Sequence, residues 1–375
     1  MNCPLQARRC GGCTRLSVPY EKQLVFKQKK VEALFPGVPV RPIIGMKEPY
    51  HYRNKVISAF AHDRNGLISG MYAFGTHYVL PTDHCLLENK AASKIVVVLR
   101  ELLSDAGVKA YDEDKKTGLI RFVQVRYAER TKQALVTIVT SQPSFEAGKE
   151  IAGQLISRCP EVRTVVQNIN PRETSAVLGF QEKLLAGSGY IEDQFLGKKV
   201  RLSSRAFYQI NTLQAEKLYQ QALQLSELKS SDRVLDVYCG IGLIGLLAAD
   251  TAQEVTGIEI NASAVRDAQM IAKENHAEHI TFQLGDAAAF MKKQTDASLV
   301  LLDPPRIGLD RKAVDALISL SPERICYISC NPETQARDVR LLSAAGYRPE
   351  VLQPVDMFPH TDHIETVLSL SRTHG

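Results

Sequence analysis

Hydrophobic and polar residues follow a regular pattern in the second half of the chain. Short runs rich in β-branched and aliphatic residues are separated by stretches in which apolar residues recur at helical spacing. Strands are predicted at residues 233–237, 254–260, 280–284, 298–302 and 324–329, with helices between them such as 262–275 and 311–319. Because strands that alternate with helices build parallel βα units, residues 196–375 are predicted to form a doubly wound α/β domain.

The first half of the chain has a different pattern. Apolar and polar residues alternate over 122–127 and 134–139, as in half-buried strands, and helical spacing covers 91–106. Residues 1–195 are therefore predicted to form a separate α+β domain. Apolar residues also recur among lysines over 20–35, which predicts an amphipathic helix that can pack on the second domain.

Composition supports two soluble domains and places basic charge near the start. The chain has 375 residues, more than one hydrophobic core usually serves. Residues 1–64 contain 12 Lys and Arg against 4 Asp and Glu, an excess that suits binding to a polyanion. A solvated face without function is the alternative.

The absence of a signal-like start and of a long apolar run predicts a cytoplasmic protein without a membrane partner. In that compartment the eight cysteines are expected to serve metal binding or catalysis rather than disulfides.

A glycine-rich turn follows the first predicted strand of the second domain. Gly240 and Gly242 separate this strand from a helix, as in Rossmann-like nucleotide-binding turns. Glu259 ends the next strand, where a carboxylate can accept hydrogen bonds from ribose hydroxyls. Asp236, before the turn, and Asp286, after the third strand, favour an S-adenosylmethionine site over the nicotinamide site that the glycines alone would equally permit.

The next two strands end in residues suited to covalent chemistry. Asp303-Pro304-Pro305-Arg306 cannot continue a strand, so Asp303 is expected at the ligand-binding edge of the sheet. Amino-group methyltransferases carry an aromatic residue where this chain has Arg306. Cys330 follows the next strand and should lie at the same edge. A thiolate that adds to carbon 6 of uracil makes carbon 5 nucleophilic, and Cys330 is the candidate for this role.

Methylated carbon 5 still carries a hydrogen that a base must remove. Glu365 begins the apolar run 366–370, the predicted last strand, and is the candidate base. His360 and His363 precede it, each either a supporting hydrogen-bond partner or an exposed loop residue.

These segments together resemble the family of RNA uracil-C5 methyltransferases along essentially the whole chain. The matching motifs are the glycine turn, Asp-Pro-Pro-Arg, Ser-Cys-Asn at 329–331 and His-x-Glu at 363–365. The resemblance implies Cys330 and Glu365 as catalytic residues. Similarity of the stretch 207–211 to a family segment adds Gln209 to the cofactor site. The implied contacts to S-adenosylmethionine are Gln209, Asp236, Tyr238, Gly240, Gly242, Glu259, Asp286 and Asp303.

Four cysteines of the first domain form a candidate metal site. Cys3, Cys10 and Cys13 are close in sequence, and Cys85 can complete a set of four thiolates for zinc or for a [4Fe–4S] cluster. The family members that act on 23S ribosomal RNA carry an iron–sulfur cluster, so the resemblance implies a cluster here. It also implies RNA contacts at Arg53, Lys55, Arg121 and Arg126.

The expected activity is methylation of carbon 5 of a uridine in 23S ribosomal RNA by a monomer. The chain resembles the shorter 23S enzymes, which lack an N-terminal β-barrel RNA-binding domain. Methylation of transfer RNA and, less favoured, of cytosine carbon 5 are the alternatives. Two other functional classes explain fewer residues. A nicotinamide oxidoreductase gives no role to Asp303, Cys330 and Glu365. A non-catalytic iron–sulfur RNA-binding protein would not require them either.

Overall fold

The computed structural model describes residues 3–294 and 296–373, which form two compact units. The first unit extends to Ser17 and includes Pro49–Phe195 and Val200–Arg205; the second contains Val18–Glu48, Leu196–Lys199 and the chain from Ala206 onwards. Residues 18–48, which the predicted first domain of 1–195 includes, belong to the second unit, and the helix expected over 20–35 packs there. The reason is helix α1 (Tyr20–Leu34), whose buried side chains, among them Val31, pack in the core of the second unit.

The first unit is built on a seven-stranded sheet with two helices. Its sheet has the order β3-β2-β1-β4-β5-β6-β7 and is antiparallel except between β5 and β6. The elements are β1 (Lys55–Asp63), β2 (Gly66–Tyr72), β3 (Val79–Pro81), α2 (Lys90–Asp105), β4 (Ile120–Tyr127), β5 (Ala134–Thr140), α3 (Gly148–Arg158), β6 (Val162–Ile169) and β7 (Gln181–Ala186). Helix α3 joins β5 to β6, which explains their parallel pairing. Two further strands, β8 (Tyr190–Phe195) and β9 (Lys198–Ser203), form a separate two-stranded sheet.

The second unit is a mixed seven-stranded sheet with the order β12-β11-β10-β13-β14-β16-β15. Its strands are β10 (Arg233–Val237), β11 (Glu254–Glu259), β12 (Ile280–Leu284), β13 (Leu299–Leu302), β14 (Arg324–Ser329), β15 (Tyr347–Val355) and β16 (Glu365–Arg372). Its helices besides α1 are α4 (Thr212–Leu225), α5 (Leu243–Ala248), α6 (Ala262–Glu274), α7 (Ala287–Met291), α8 (Arg311–Leu320) and α9 (Pro332–Ala344). The strands β10 to β14 pair in parallel, as predicted.

The prediction of a parallel sheet is wrong at one edge. Strand β16 runs antiparallel to both β14 and β15. Residues 356–364 connect β15 to β16 without a helix, and a connection without a crossover returns the chain antiparallel. As a result, the beginning of β16 lies next to the end of β14.

Side-chain caps determine where several helices of the second unit begin. Asn261, Asp286, Asp310 and Asn331 each accept a backbone N–H from the first turn of the helix that follows. Such caps satisfy amides that lack a partner within the helix. At Asn261, Asp286 and Asn331 the chain turns from a strand end into a helix within two residues, whereas residues 303–309 separate β13 from the cap of α8. No helix among residues 3–294 and 296–373 has the length and apolar character needed to span a membrane.

Candidate active site

The glycine turn joins β10 to α5 in a conformation that ordinary residues rarely adopt. Gly240 and Gly242 have φ values of 56° and 76°. A Cβ atom on Gly242 would lie 2.4 Å from Cε1 of Phe282, so only glycine fits there. Around Gly240, by contrast, a Cβ atom would meet nothing within 4 Å among the described residues. The turn is therefore closely packed on one side and open at Gly240, as a ligand-binding turn requires.

Carboxylates surround this turn. One oxygen of Glu259 accepts the Gly240 N–H at 3.1 Å, and the other accepts the Asn261 N–H at 2.8 Å. Asp286 is exposed and caps α7, accepting the Ala289 N–H at 2.9 Å. Glu259 thus links the glycine turn to the end of the neighbouring strand.

Asp236 lies beneath the turn and is fully buried. Its Oδ2 accepts the N–H of Gly245 at 3.0 Å, whereas its Oδ1 has no hydrogen-bond partner among the described residues. Burial raises the pKa of Asp236 to about 7, and the Gly245 N–H opposes this shift. Asp236 therefore supports the start of α5 and keeps one acceptor available.

Asp303 and Arg306 follow β13 at the same edge of the sheet. Burial raises the pKa of the half-buried Asp303 to about 7. The carbonyl of Arg306 accepts hydrogen bonds from Nδ2 of Asn331 and Oγ1 of Thr334, both at 3.2 Å. The Asp-Pro-Pro-Arg segment is thereby attached to the segment that follows β14.

Cys330 lies between the end of β14 and the start of α9. Its thiol is half-buried, and burial, followed by the nearby Glu365 and Asp303, raises its pKa to about 11. Arg306 acts in the opposite direction and lowers the pKa. Accessibility distinguishes this thiol from Cys326, which is fully buried within β14 and donates to the carbonyl of Ala222.

Glu365 is the first residue of β16 and is brought close to Cys330 by strand pairing. Ser329 pairs with Thr366 in the antiparallel register of β14 and β16, so Cys330 and Glu365 are the next residues on the two strands. Glu365 is buried, with 4% of its surface exposed. Burial, reinforced by Asp303, raises the pKa of its carboxyl well above the usual range. A carboxyl in such surroundings is a stronger base once ionised.

The two histidines before Glu365 have different environments. His360 is buried with φ of 65°; its backbone N–H donates to Oε1 of Gln23, and its Nδ1 lies 3.0 Å from Nε2 of the same residue. His363 is exposed. Lys27 and Asp356, both fully buried, form an ion pair of 2.6 Å, so α1 holds the loop that leads to Glu365.

Tyr219 on α4 belongs to the site, although sequence reasoning missed it. It is buried, it hydrogen bonds with the Gln209 side chain, and it lies near Asp303, Asp236 and Glu365. Burial is the main cause that raises the pKa of its hydroxyl well above the usual value. In the sequence this tyrosine is one apolar position of an amphipathic helix, and no local motif marks it. Gln209, which the resemblance implies as a cofactor contact, is therefore hydrogen bonded to a tyrosine that lies near these three carboxyl groups.

The four predicted cysteine ligands line one cavity of the first unit. Cys3, Cys10, Cys13 and Cys85 share this cavity with Leu16 and other apolar side chains. Burial raises the pKa of Cys13 to about 12, with a further contribution from Cys85. However, within residues 3–294 and 296–373 no group of three or more His, Cys, Asp or Glu side chains has the arrangement of a metal site.

Two of the four basic residues expected to face RNA are buried. Arg121 is 3% exposed, pairs with Glu113 at 2.8 Å and donates to the carbonyl of Asn170. Arg126 is also buried and donates to the Ser204 carbonyl at 3.2 Å. The expectation of an RNA-facing position is therefore wrong for these two arginines, because their charge and donors are used inside the first unit.

Arg53 and Lys55 are only half-buried. Arg53 donates to the carbonyl of Gly12 at 3.2 Å, within the cysteine-bearing segment. Burial, together with Arg126, lowers the pKa of Lys55 to about 8. These contacts give Arg53 a role in holding the cysteine segment, and neither residue presents a fully exposed charge.

Comparison with known proteins gives a consistent set of relatives. A family model described as tRNA (uracil-5-)-methyltransferase matches residues 19–373. An uncharacterized RNA methyltransferase of Halalkalibacterium halodurans is 37% identical over 378 residues, covering 98% of this chain and 82% of the relative. Another from Enterococcus faecalis is 39% identical over 363 residues, covering 94% of this chain and 79% of that protein.

A solved structure extends the similarity to the fold. The tRNA (uracil-54, C5)-methyltransferase of Pyrococcus abyssi, in complex with S-adenosyl-L-homocysteine, matches with a TM-score of 0.81 and 25% sequence identity. The match covers 99% of this chain and 87% of the archaeal one.

Proposed function

Because this chain belongs to the family of RNA uracil-C5 methyltransferases, we propose that it methylates carbon 5 of a uridine in 23S ribosomal RNA, using S-adenosylmethionine. The observation that carries the proposal is the juxtaposition of Cys330 and Glu365 at the end of the sheet that also holds the glycine turn. A nucleophilic thiol, a base of raised pKa and an open nucleotide turn are the three groups that the reaction requires.

Cys330 begins the reaction by forming a bond to carbon 6 of the uracil. The electron pair of the 5,6 double bond moves into the ring carbonyl system, and carbon 5 becomes an enolate carbon. The raised pKa of Cys330 means that the free thiol is largely protonated near neutral pH. Arg306, which lowers this pKa, favours the reactive thiolate.

Glu365 ends the reaction by removing the proton of carbon 5. The electron pair of that C–H bond re-forms the 5,6 double bond, and the bond between carbon 6 and the Cys330 sulfur breaks. A carboxylate whose proton affinity is raised by burial suits this step. The products are the 5-methylated uracil, the free thiolate and a protonated Glu365.

The cofactor is proposed to bind against the glycine turn. When bound, S-adenosylmethionine would supply the electrophilic methyl group that carbon 5 takes before Glu365 acts, and S-adenosylhomocysteine would be the second product. The open side of Gly240, the carboxylate of Glu259 and the unpaired Oδ1 of Asp236 fit a polar nucleoside ligand. The remaining proposed contacts are Gln209, Tyr238, Gly242, Asp286 and Asp303.

A [4Fe–4S] cluster on Cys3, Cys10, Cys13 and Cys85 is part of the proposal. Four thiols around one cavity with apolar neighbours provide the ligand type and number that such a cluster needs. Burial raises the pKa of Cys13 and so favours its protonated thiol. Binding of the cluster would displace this proton, because the metal is bound by the thiolate. These cysteines support 23S ribosomal RNA as substrate, since by resemblance the cluster belongs to the enzymes that act on it.

The similarity to an archaeal tRNA methyltransferase makes transfer RNA the second candidate substrate. Purified protein should be incubated with radiolabelled S-adenosylmethionine and, separately, with 23S ribosomal RNA and transfer RNA that lack the modification. We expect 5-methyluridine in the ribosomal RNA, no labelled 5-methylcytidine, and no product with Cys330→Ala. The matched variant Cys326→Ala should remain active. If only transfer RNA is labelled, transfer RNA is the substrate and the assignment to 23S ribosomal RNA is wrong. If neither RNA is labelled, the proposed function is contradicted.

A further inference from the structure

The tip of the β2–β3 hairpin is attached to the cysteine-bearing segment of the first unit. Ala73 forms a β-bridge with Cys10, and the N–H of Phe74 donates to the carbonyl of Arg9 at 3.0 Å. The tip, residues 73–78, and the segment 3–16 therefore present one continuous surface. We call it the hairpin surface.

Aromatic rings are unusually exposed on the hairpin surface. Phe74 is 73% exposed and Tyr78 is 59% exposed. Among the described residues, no ring or cation contact involves Phe74. Burial of a phenylalanine is strongly favourable in water, so an exposed ring at a turn contributes nothing to the core.

Two arginines accompany these rings. The guanidinium of Arg8 lies 5.9 Å from the centre of the Tyr78 ring, and its Nη2 donates to the Tyr78 hydroxyl at 3.0 Å. Arg9 is exposed beside it. The hairpin surface thus combines a free aromatic face with fixed positive charge.

The charge of the first unit agrees with a polyanionic partner. Its residues include 23 Lys and Arg against 16 Asp and Glu. The tip also has an acidic neighbour, since Asp114 contacts His77 at 3.1 Å. A bound polyanion is therefore expected on the side of Arg8 and Arg9, away from His77.

We propose that the hairpin surface binds unpaired bases of the substrate RNA, with Phe74 as a stacking platform and with Arg8 and Arg9 as phosphate contacts. This inference rests on the proposed function, because it assigns a recognition surface to the same RNA. Aromatic faces next to basic side chains are the combination that single-stranded nucleic acids require. A partner protein would not explain as directly why an exposed ring lies beside two arginines that have no ion-pair partner within residues 3–294 and 296–373.

Phe180 provides a matched control within the same unit. It is 79% exposed, but the guanidinium of Arg172 already covers one face at 4.2 Å from the ring centre. Phe180→Ala therefore removes a similarly exposed ring away from the hairpin surface. Phe74→Tyr keeps an aromatic face at the tip, and Phe74→Leu keeps apolar area without one.

The test is fluorescence anisotropy of the full-length protein with a labelled, uridine-containing stem–loop RNA and with the same sequence annealed to its complement. We expect Phe74→Ala and Phe74→Leu to weaken stem–loop binding about 10-fold, from the loss of one base stack. Phe74→Tyr and Phe180→Ala should bind as the unchanged protein does, and the duplex should be insensitive to all four variants.

Equal binding of Phe74→Ala and the unchanged protein would overturn the inference, as would an equal loss in Phe180→Ala or an equal effect on the duplex. Methyl transfer to RNA by the unchanged protein is measured in parallel. If methyl transfer persists while Phe74 proves unimportant, only the hairpin surface is wrong. If the unchanged protein methylates no RNA, the proposed function itself fails.

Discussion

Cys330 and Glu365 meet because two strands of opposite direction end and begin at the same place. The register pairs Ser329 of β14 with Thr366 of β16, and the next residue on each strand carries a reactive group. Their separation in sequence is large, but the antiparallel return of the chain makes them neighbours. This pairing places the proposed nucleophile and base on the same side of the sheet edge.

The reactivity of Cys330 should depend strongly on pH. Because its pKa is raised to about 11, alkylation by iodoacetamide should be slow near neutral pH and rise about tenfold per pH unit towards that value. Arg306→Ala removes a charge that lowers the pKa, so it should slow alkylation by a factor of about 3 to 10. Peptide mass mapping identifies the modified cysteine.

The buried Cys326 serves as the internal control for this experiment, since it should stay unmodified while the protein is folded. A rate for Cys330 that is already constant with pH near neutrality would contradict the raised pKa.

Tyr219 is expected to position Gln209 for the cofactor. Tyr219→Phe removes the hydroxyl that hydrogen bonds with Gln209 while keeping the packed ring. The KM for S-adenosylmethionine should rise by about 2- to 10-fold, which corresponds to the loss of one hydrogen bond. Tyr347→Phe is the matched control, because its hydroxyl bonds to the carbonyl of Pro322 elsewhere in the second unit. Equal kinetic effects of both variants would indicate a general loss of packing instead.

The buried ion pair between Lys27 and Asp356 should be important for stability. Lys27→Met leaves the Asp356 carboxylate buried without its cation, which should lower the free energy of unfolding by about 3 to 5 kcal/mol. Lys30→Ala, on the same helix, breaks the exposed pair with Glu333 and should cost less than about 1 kcal/mol. Urea unfolding compares the two variants. Similar midpoints for both would mean that the loop before Glu365 does not depend on this pair.

Iron content tests the proposed metal site. Anaerobically purified protein should be brown and contain iron and acid-labile sulfide, and Cys85→Ser should lose both. Cys159→Ser is the control, because Cys159 is buried in the core of the first unit and lies outside the cysteine cavity. A colourless protein with stoichiometric zinc would favour the other chemistry that four cysteines permit.

Local patterns were sufficient to predict most elements of the second unit. Strands β10, β12 and β14 have the predicted bounds, because each is a short apolar run between turn residues. The direction of β16 was not predictable from its own residues. It depends on how residues 356–364 connect β15 to β16, which hydrophobic periodicity does not encode.

The candidate site was partly predictable for a similar reason. Sequence motifs mark Cys330, Asp303 and the glycines because their roles impose local residue types. Tyr219 and Gln23 contribute through tertiary contacts, and each resembles an ordinary helix position in the sequence. The burial of Arg121 was also not predictable, because its partners are a nearby Glu113 and distant backbone carbonyls.

The central claim is the covalent role of Cys330 followed by proton removal by Glu365. Glu365→Gln should still form the bond to carbon 6 and accept the methyl group on carbon 5, but it should fail to release the RNA. Incubated with unmodified 23S ribosomal RNA and S-adenosylmethionine, this variant should give a slowly migrating protein–RNA band on a denaturing gel. The double variant Cys330→Ala, Glu365→Gln should give no band. A band that persists in the double variant, or methylation by the Cys330→Ala protein at the normal rate without any adduct, would contradict the account.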